Sequence, residues 1–436
     1  TILTSGITTA DAILFYPYFM TLRQMNKNEI KIHIVGGGVS GLIAARVLED
    51  HGYSPSVIEA TDRVGGRLKT DVIEGYQLDH GFQVLLTAYP AAKKYLDYKA
   101  LDLQQFLPGA SIFKNEAQKI IGDPLRDMSL LFSTLFAGIG TFSDKIKILN
   151  LNKRLKEKTI AKIFSEKEQS TLAYLTGLGF SLDMIDTFFE PFFSGIFLET
   201  KLDTSSRMFE FVYKMFGEGF ATLPKAGIEA IPKQLLQNLN QTTFKYNTKV
   251  DVVKEGEITL TNGERLKSDF TIVATEASTL IKNLKNQAIE WKSCDTFYFE
   301  TENRAIKKPL IGLVPKHGSL INNIFYHTSL ETTAKAKKEL LSVTVVDRKN
   351  LKDAELLEQV KRELKDVCGI DAVKFIKQYT IPMALPNLAE LHYESAPQET
   401  RLTAGVFLAG DTQLNGSLNA AILSGESAAL GVLEAL

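Results

Sequence analysis

The chain has 436 residues, 44% of them hydrophobic and 23% charged, a balance that suits a globular protein and a length that suits two structural domains. Lysine and arginine number 50 against 51 aspartate and glutamate, so charge gives no reason to expect nucleic acid or an anionic surface as the main partner. Two cysteines, Cys294 and Cys368, are too few for a disulfide framework or a zinc site and are expected to be reduced and buried; the six histidines lack paired ligand spacing, so no metal centre is expected.

Residues 1–24 read as an extension outside the fold. The apolar run 12–20 is broken by Pro17 and falls far short of the roughly 20 residues that span a bilayer. No cationic stretch precedes it, so a secretory signal is not expected; a foot touching a membrane surface is the alternative reading. Met25 reads as a natural start, and the expected location is cytoplasmic, peripheral to a membrane at most.

Residues 30–59 predict a strand at 30–35, a glycine turn, a helix at 42–50 and a second strand at 55–58. The turn Gly36-Gly37-Gly38-Val39-Ser40-Gly41 fits G-x-G-x-x-G. Gly36 and Gly38 let the backbone turn tightly and approach a pyrophosphate, Gly41 lets the helix lie close to the strand, and the helix start directs its N–H groups at the phosphate. Glu59, 18 residues past Gly41 at the end of the next strand, suits the ribose hydroxyls of an adenosine and would repel a 2′-phosphate. A dinucleotide is the expected ligand. The run Arg63-Val64-Gly65-Gly66-Arg67-Leu68-Lys69-Thr70 follows, with two glycines for close backbone approach between two arginines whose fixed donors suit phosphate.

Further along, short strands are expected around Pro108-Gly109 and Lys114-Asn115, helices with lysine-rich faces from Asp127 to Gln169, and an aromatic patch from Phe180 to Phe220. Phe188, Phe189, Phe192, Phe193, Phe197, Phe209, Phe211 and Phe216 crowd this patch; they read either as a packed domain interface or as an apolar tunnel. Thr204-Ser205-Ser206-Arg207 reads as a helix cap or a substrate contact. Residues 243–275 predict β structure with a hairpin tip at Thr261-Asn262-Gly263-Glu264. Strands at 296–300 and 340–346 and a charged helix at 351–366 follow; a strand at 406–409 and a helix from Ser417 close the chain. There is no internal repeat and no second G-x-G-x-x-G, so no built-in NAD(P)H site is expected.

These motifs resemble the superfamily of flavin-containing amine oxidases and phytoene (carotenoid) desaturases, over roughly 29–90, 190–232 and 400–430. The resemblance implies an α/β fold: a discontinuous Rossmann-like, glutathione-reductase-like FAD-binding domain (29–90, 215–285 and 400–436) with an inserted α+β substrate domain (91–214 and 286–399). It implies FAD as cofactor, with Gly36, Gly38, Val39, Ser40, Gly41, Glu59, Ala60 and Arg63 at the adenosine and pyrophosphate end. Gly65, Gly66 and Arg67 would meet the phosphates and ribityl chain, His80, Gly81, Phe82 and Gln83 would run beside the flavin ring, and the backbone of Val250 would read adenine. In the last segment Gly410 and Asp411 would meet the ribityl chain, and Ser417, Leu418 and Ala420 would bring a helix N-terminus to the flavin. His80 is the one titratable candidate for a catalytic or flavin-tuning role. No cysteine follows Cys368, so the flavin is expected to be bound without a covalent link through such a residue.

Within the superfamily, Asp411 and the run Gly416-Ser417-Leu418-Asn419-Ala420-Ala421 sit closer to the desaturases. The stretch Cys294-Asp295-Thr296-Phe297-Tyr298 lacks the lysine that amine oxidases place near the flavin, and no paired aromatic cage is evident. The expected reaction is therefore dehydrogenation of an apolar isoprenoid, carotenoid or lipid-like molecule by hydride transfer to flavin N5. A peroxide-releasing amine oxidase and a redox-neutral flavin isomerase are the alternatives.

Overall fold

The computed structural model describes residues 27–114, 117–122, 138–315, 318–371 and 374–436. The extension 1–24, the turn at Asn115 and the stretch 127–137 of the expected helical region lie outside the described residues.

One sheet draws on three distant parts of the chain. Its five strands are all parallel, in the spatial order Thr243–Lys245, Ser56–Ile58, Ile32–Val35, Phe270–Val273 and Val406–Leu408. Ile34, Val57, Ile272 and Phe407 are fully buried in it, the continuous apolar content a parallel sheet covered on both faces requires. The helices Val39–Asp50 and Leu418–Ala435 pack against each other beside this sheet. Two glycines allow that arrangement: a Cβ on Gly41 would sit 2.0 Å from the Gly36 carbonyl oxygen, and one on Gly425 would sit 2.2 Å from the Ser40 carbonyl oxygen. The first and last segments of the chain are thus locked together by backbone contact.

A second, seven-stranded sheet runs in the order Lys374–Asn387, Glu290–Thr301, Glu339–Val345, Ile321–Tyr326, Ile311–Leu313, Gly109–Lys114 and Ala117–Gly122. All neighbours are antiparallel except Ile311–Leu313 beside Gly109–Lys114. Side chains alternate between its faces. One face holds Phe297, Phe299, Val343 and Val345 against the helix Asp353–Cys368, whose Leu356, Val360, Leu364 and Cys368 recur every fourth residue. The other face, carrying Tyr298, Ser342, Thr344, Asn323 and Phe325, turns away from that helix.

Predicted elements are found with shifted ends. The strand expected at 296–300 runs Glu290–Thr301, because pairing to strands on both sides extends it well beyond its most apolar residues. The lysine-rich region forms the helices Phe142–Glu157 and Ile160–Phe164, each started by a threonine whose hydroxyl accepts a backbone N–H, from Asp144 and Lys162 respectively. The Thr261–Glu264 tip joins antiparallel strands Glu257–Leu260 and Arg265–Lys267. The aromatic patch is helical, with a π-turn at Ile185–Phe189 leading into Glu190–Phe197 and then Ser206–Glu218. Ser205 caps the last of these by accepting from the Arg207 N–H, the capping reading of that tetrapeptide. Among the described residues, no helix is long and apolar enough to cross a membrane.

Candidate active site

Residues of both sheets and of the elements beside them line a cavity of about 1400 Å³. Pockets for drug-sized ligands occupy roughly 300–1,000 Å³, so this one has room for a dinucleotide and a second molecule.

At one end the wall is backbone. Gly36 N–H donates to the Ile58 carbonyl at 2.9 Å and so ties the glycine turn to the second strand. Gly38 precedes the helix Val39–Asp50 with no side-chain cap, and a Cβ placed on it would touch nothing within 4 Å, so helix start and cavity meet without a side chain between them. Gly65 N–H donates to Gly37 O at 2.9 Å, laying the second glycine loop on the first. Glu59 is buried; its Oε2 accepts from Gly37 N–H at 2.8 Å, and its Oε1 accepts from the Thr61 N–H and hydroxyl at 2.8 and 2.7 Å. Among the described ion pairs it has no cation, and carboxylate oxygens keep further acceptor capacity. A bare helix N-terminus beside a buried, unpaired carboxylate fits a pyrophosphate and a ribose diol, so the residues present suit FAD.

The two arginines of the second motif have separate tasks. Arg63 is not a cavity residue: its Nε donates to Glu229 Oε1 and its Nη2 to Asp71 Oδ1, both at 2.8 Å. Those carboxylates occupy the donors that the sequence assigned to phosphate. Arg67 lines the cavity, pairs with Asp411, donates to the Ala384 carbonyl at 3.2 Å and lies 5.4 Å from the Trp291 ring centroid.

Beside them stands a hydrogen-bonded group. His80 Nε2 lies 2.9 Å from Asp71 Oδ2, Tyr379 donates its hydroxyl to the same oxygen at 2.8 Å, and the His80 and Tyr379 rings are 4.3 Å apart. Burial pushes the Asp71 carboxyl up, but hydrogen bonds from His80 and Tyr379 outweigh it and hold the group below the usual carboxylate range. Asp79 is fully enclosed; burial pushes its carboxyl up to about 6, although the Thr70 hydroxyl and Ile228 N–H donate to it at 2.6 and 3.1 Å. His327 is pushed down to about 4 by burial alone.

The far end of the cavity is aromatic. Phe188, Phe192, Phe193, Phe197 and Phe216 of the predicted group line it, together with Phe220. Phe189, Phe209 and Phe211 do not; they are fully buried in the main core. The patch is therefore both cavity wall and packed interface. The expectation that the central strand brings no lysine to the cavity needs correction. The five residues 294–298 contain none, but the strand starts at Glu290, and Lys292 lines the cavity. Its ammonium donates to the Thr204 hydroxyl at 3.2 Å, and burial lowers its pKa. Starting the strand six residues too late hid it. Glu168, Glu199 and Asp203 also line the cavity, as does Cys294, whose thiol burial pushes up to about 12.

Of the residues singled out in the sequence for the cofactor, Gly36, Gly38, Val39, Ser40, Glu59, Gly65, Gly66 and Arg67 from the first motifs line this cavity. So do His80, Gly81, Phe82, Gln83, Gly410, Asp411, Ser417 and Leu418. Gly41, Ala60, Arg63, Val250 and Ala420 do not. Gly41 is sealed under the Gly36 carbonyl, and Ala60 is exposed. Val250 packs into a small core with Val35, Ile58 and Val273, and Ala420 is fully buried behind the helix start, with Ala421 on the cavity instead. Trp291, Lys292 and Tyr213, which no motif marked, join the lining.

The family model described as flavin containing amine oxidoreductase matches residues 39–433. Among curated proteins, 4,4'-diapolycopen-4-al dehydrogenase from Metabacillus indicus is 46% identical over 57 residues, 13% of this chain and 12% of that one. Protoporphyrinogen oxidase 2, chloroplastic/mitochondrial, from Arabidopsis thaliana is 27% identical over 169 residues, 38% of this chain and 32% of that one. The chain thus spans about a third or less of the length of these relatives. Among solved structures, cyclohexylamine oxidase from Brevibacterium oxydans IH-35A superposes with a TM-score of 0.68 at 14% identity, covering 93% of this chain and 99% of that one, a likeness of fold.

Proposed function

The chain belongs to the flavin-containing amine oxidoreductase family and is a flavin-dependent oxidoreductase; from that premise we propose that it dehydrogenates an apolar substrate of isoprenoid, carotenoid or lipid-like type. The observation that carries this reading is the continuity of the cavity: the glycine cradle opens directly onto a chamber walled by Phe188, Phe192, Phe193, Phe197, Phe216 and Phe220. A polar substrate would lose its hydration against those rings without recovering hydrogen bonds. The diapolycopenal dehydrogenase and protoporphyrinogen oxidase among the relatives point the same way.

The proposed division of labour follows the two sheets. Residues 29–90, 215–285 and 400–436 hold the cofactor, and 91–214 with 286–399 enclose the substrate. FAD, when bound, supplies the hydride acceptor. The helix start at Val39 would face its pyrophosphate, Glu59 its ribose, and Arg67 with Asp411 its ribityl and phosphate region. His80, oriented by Asp71, is the candidate to hold or move a proton at the cavity wall. Attachment would be non-covalent, since burial raises both cysteine thiols to about 12 and leaves little thiolate.

Substrate would enter beside the helix Phe142–Glu157. Phe142, Ile146 and Leu149 line the cavity yet are 75%, 45% and 49% exposed, and Lys153 and Lys156 are exposed on the same helix. Apolar residues with flanking lysines suit an anionic bilayer surface.

A second reading, oxidation of an amine, is favoured by Lys292 and by the carboxylates Glu168, Glu199 and Asp203 in the lining. Anaerobic spectroscopy separates the two. Bleaching of the flavin absorbance by an apolar polyene or isoprenoid, with no response to alkyl amines, is the expected result; bleaching by amines alone would reject the apolar reading.

A further inference from the structure

We infer that the cavity takes an apolar molecule bearing a neutral hydroxyl group, docked on Asn323 and Thr344; this rests on the apolar-substrate reading and narrows it. Three adjacent antiparallel strands place Thr296 opposite Thr344, and Thr344 opposite Asn323. Residues so paired share a face, with Cβ atoms roughly 4.5–5.5 Å apart. Asn323 and Thr344 line the cavity. All three are buried, with Thr296 0%, Thr344 4% and Asn323 2% exposed, yet Thr296 Oγ1, Thr344 Oγ1 and Asn323 Oδ1 have no hydrogen-bond partner. The Ser194 hydroxyl is buried and unpartnered too, next to Gly195, where a Cβ would come within 2.7 Å of Asn323 Nδ2. Buried polar groups are normally satisfied, so a row of them beside an apolar chamber points to a missing partner.

The neighbouring bonds identify which atom of Asn323 is free. The Pro191 carbonyl can only accept, so the Asn322 atom 3.2 Å from it is the amide nitrogen. The carbonyl of Asn322 must then face Asn323, which donates its own amide nitrogen to it at 2.8 Å. Asn323 is left presenting its carbonyl oxygen, an acceptor. A ligand atom there has to donate, and beside it the Thr344 hydroxyl can either donate or accept. A ligand hydroxyl meets both demands, whereas an ether or ketone oxygen cannot donate to Asn323. The row continues to Tyr379 on one side and Leu313 on the other, so no residue of the row itself supplies a counter-charge for an ammonium. Two residues along the strand, Phe325 lies 5.3 Å from Phe82, and a two-residue strand step is roughly 6.8 Å. Asn323 therefore lies one pleat repeat along its strand from the ring that packs on the loop assigned to the flavin.

The chain's single tryptophan, Trp291, lines the cavity and reports binding without turnover. The flavin-loaded full chain would be titrated by fluorescence with a fifteen-carbon isoprenoid alcohol, its methyl ether and the parent hydrocarbon. The alcohol should bind about tenfold or more tightly than the ether, the scale of one buried unsatisfied acceptor. Asn323→Leu and the near-isosteric Thr344→Val should each bring that ratio towards one without weakening the hydrocarbon. Equal binding of all three ligands to the unaltered protein, as an ordered water on Asn323 would produce, overturns the hydroxyl site and leaves the apolar cavity standing. A preference that survives both substitutions overturns it as well. If none of the three binds, the apolar-substrate reading itself fails.

Discussion

At the nucleotide end of the cavity the wall is main chain, at Gly36, Gly38, Gly65 and Gly66, and a few fixed side chains such as Glu59 complete it. At the far end the wall is rings, drawn chiefly from the helical stretch between Phe188 and Phe220. The first end is specified by local backbone geometry, which tolerates few residue types. The second is specified by which large side chains happen to face inward, which many sequences satisfy. Substitutions should therefore act on cofactor affinity at one end, and at the other on either stability or substrate affinity, according to which way a ring points.

The largest effect separates two phenylalanines of one cluster. Phe209 is fully buried, with ring neighbours Phe193 at 4.6 Å and Tyr213 at 5.5 Å, whereas Phe188 is half-buried and lines the cavity. Phe209→Ala should cost about 3–5 kcal/mol of unfolding free energy. Phe188→Ala should cost well under half of that while weakening an apolar ligand. Equal losses in denaturant titrations would show that the whole patch is packing and the chamber incidental.

Asp79 lies at the seam, accepting from Thr70 and Ile228, while its own carbonyl accepts the Tyr298 hydroxyl at 2.8 Å. Its folded pKa, about 6, is raised from 3.8, so between those values the folded state holds more protons than the unfolded one. Stability from this group is full below about pH 4 and is lost as pH rises to about 6, by on the order of 3 kcal/mol. His327 has the opposite sign: its pKa is lowered from 6.5 to about 4, so its contribution is lost as pH falls through that range. Asp79→Asn removes the first effect alone. Its stability relative to the parent should climb from pH 4 to 6 and then level; a difference independent of pH would place an ordinary carboxylate there.

At the cradle, Glu59→Ala should weaken FAD binding by about 1.5–3 kcal/mol, the scale of a charge-assisted hydrogen bond. The apo-protein should lose less, although Gly37 and Thr61 lose their acceptor. Unchanged flavin affinity would reduce Glu59 to a brace for the turn.

The same contrast explains what the sequence disclosed. The strand–turn–helix at 32–50 and the closing strand and helix were legible because G-x-G-x-x-G and its C-terminal counterpart are contiguous and their glycines cannot be replaced. That Arg67 faces the cavity while Arg63 braces Glu229 and Asp71 was not, since both fit the motif and only the tertiary position of Glu229, 166 residues away, decides it. Lys292 escaped because cross-strand pairing, absent from any local pattern, carries its strand beyond the apolar run. The Thr296–Thr344–Asn323 row is a matter of register between strands and has no linear signature.

The smallest expected effect concerns the route into the aromatic end. The helix Phe142–Glu157 is held by buried Leu151 and Leu155, but Phe142, Ile146 and Leu149 recur at intervals of four and three and stay exposed at the cavity. Side chains of that size gain about 1.5–3 kcal/mol on full burial, and Ile146 is already half covered. Ile146→Ser should therefore cost about 1 kcal/mol of membrane affinity, roughly fivefold in a partition coefficient. The lysines on the helix add attraction that depends on lipid charge and is screened by salt. Sedimentation with phosphatidylcholine–phosphatidylserine vesicles should accordingly show binding that falls with Ile146→Ser, with added salt, and when phosphatidylserine is left out. The substitution should leave FAD content and thermal midpoint unchanged, because the side chain supports neither the cradle nor the core. Binding indifferent to both the substitution and the lipid charge would remove the membrane from the route and leave the exposed stripe as the open lip of a chamber filled from solution.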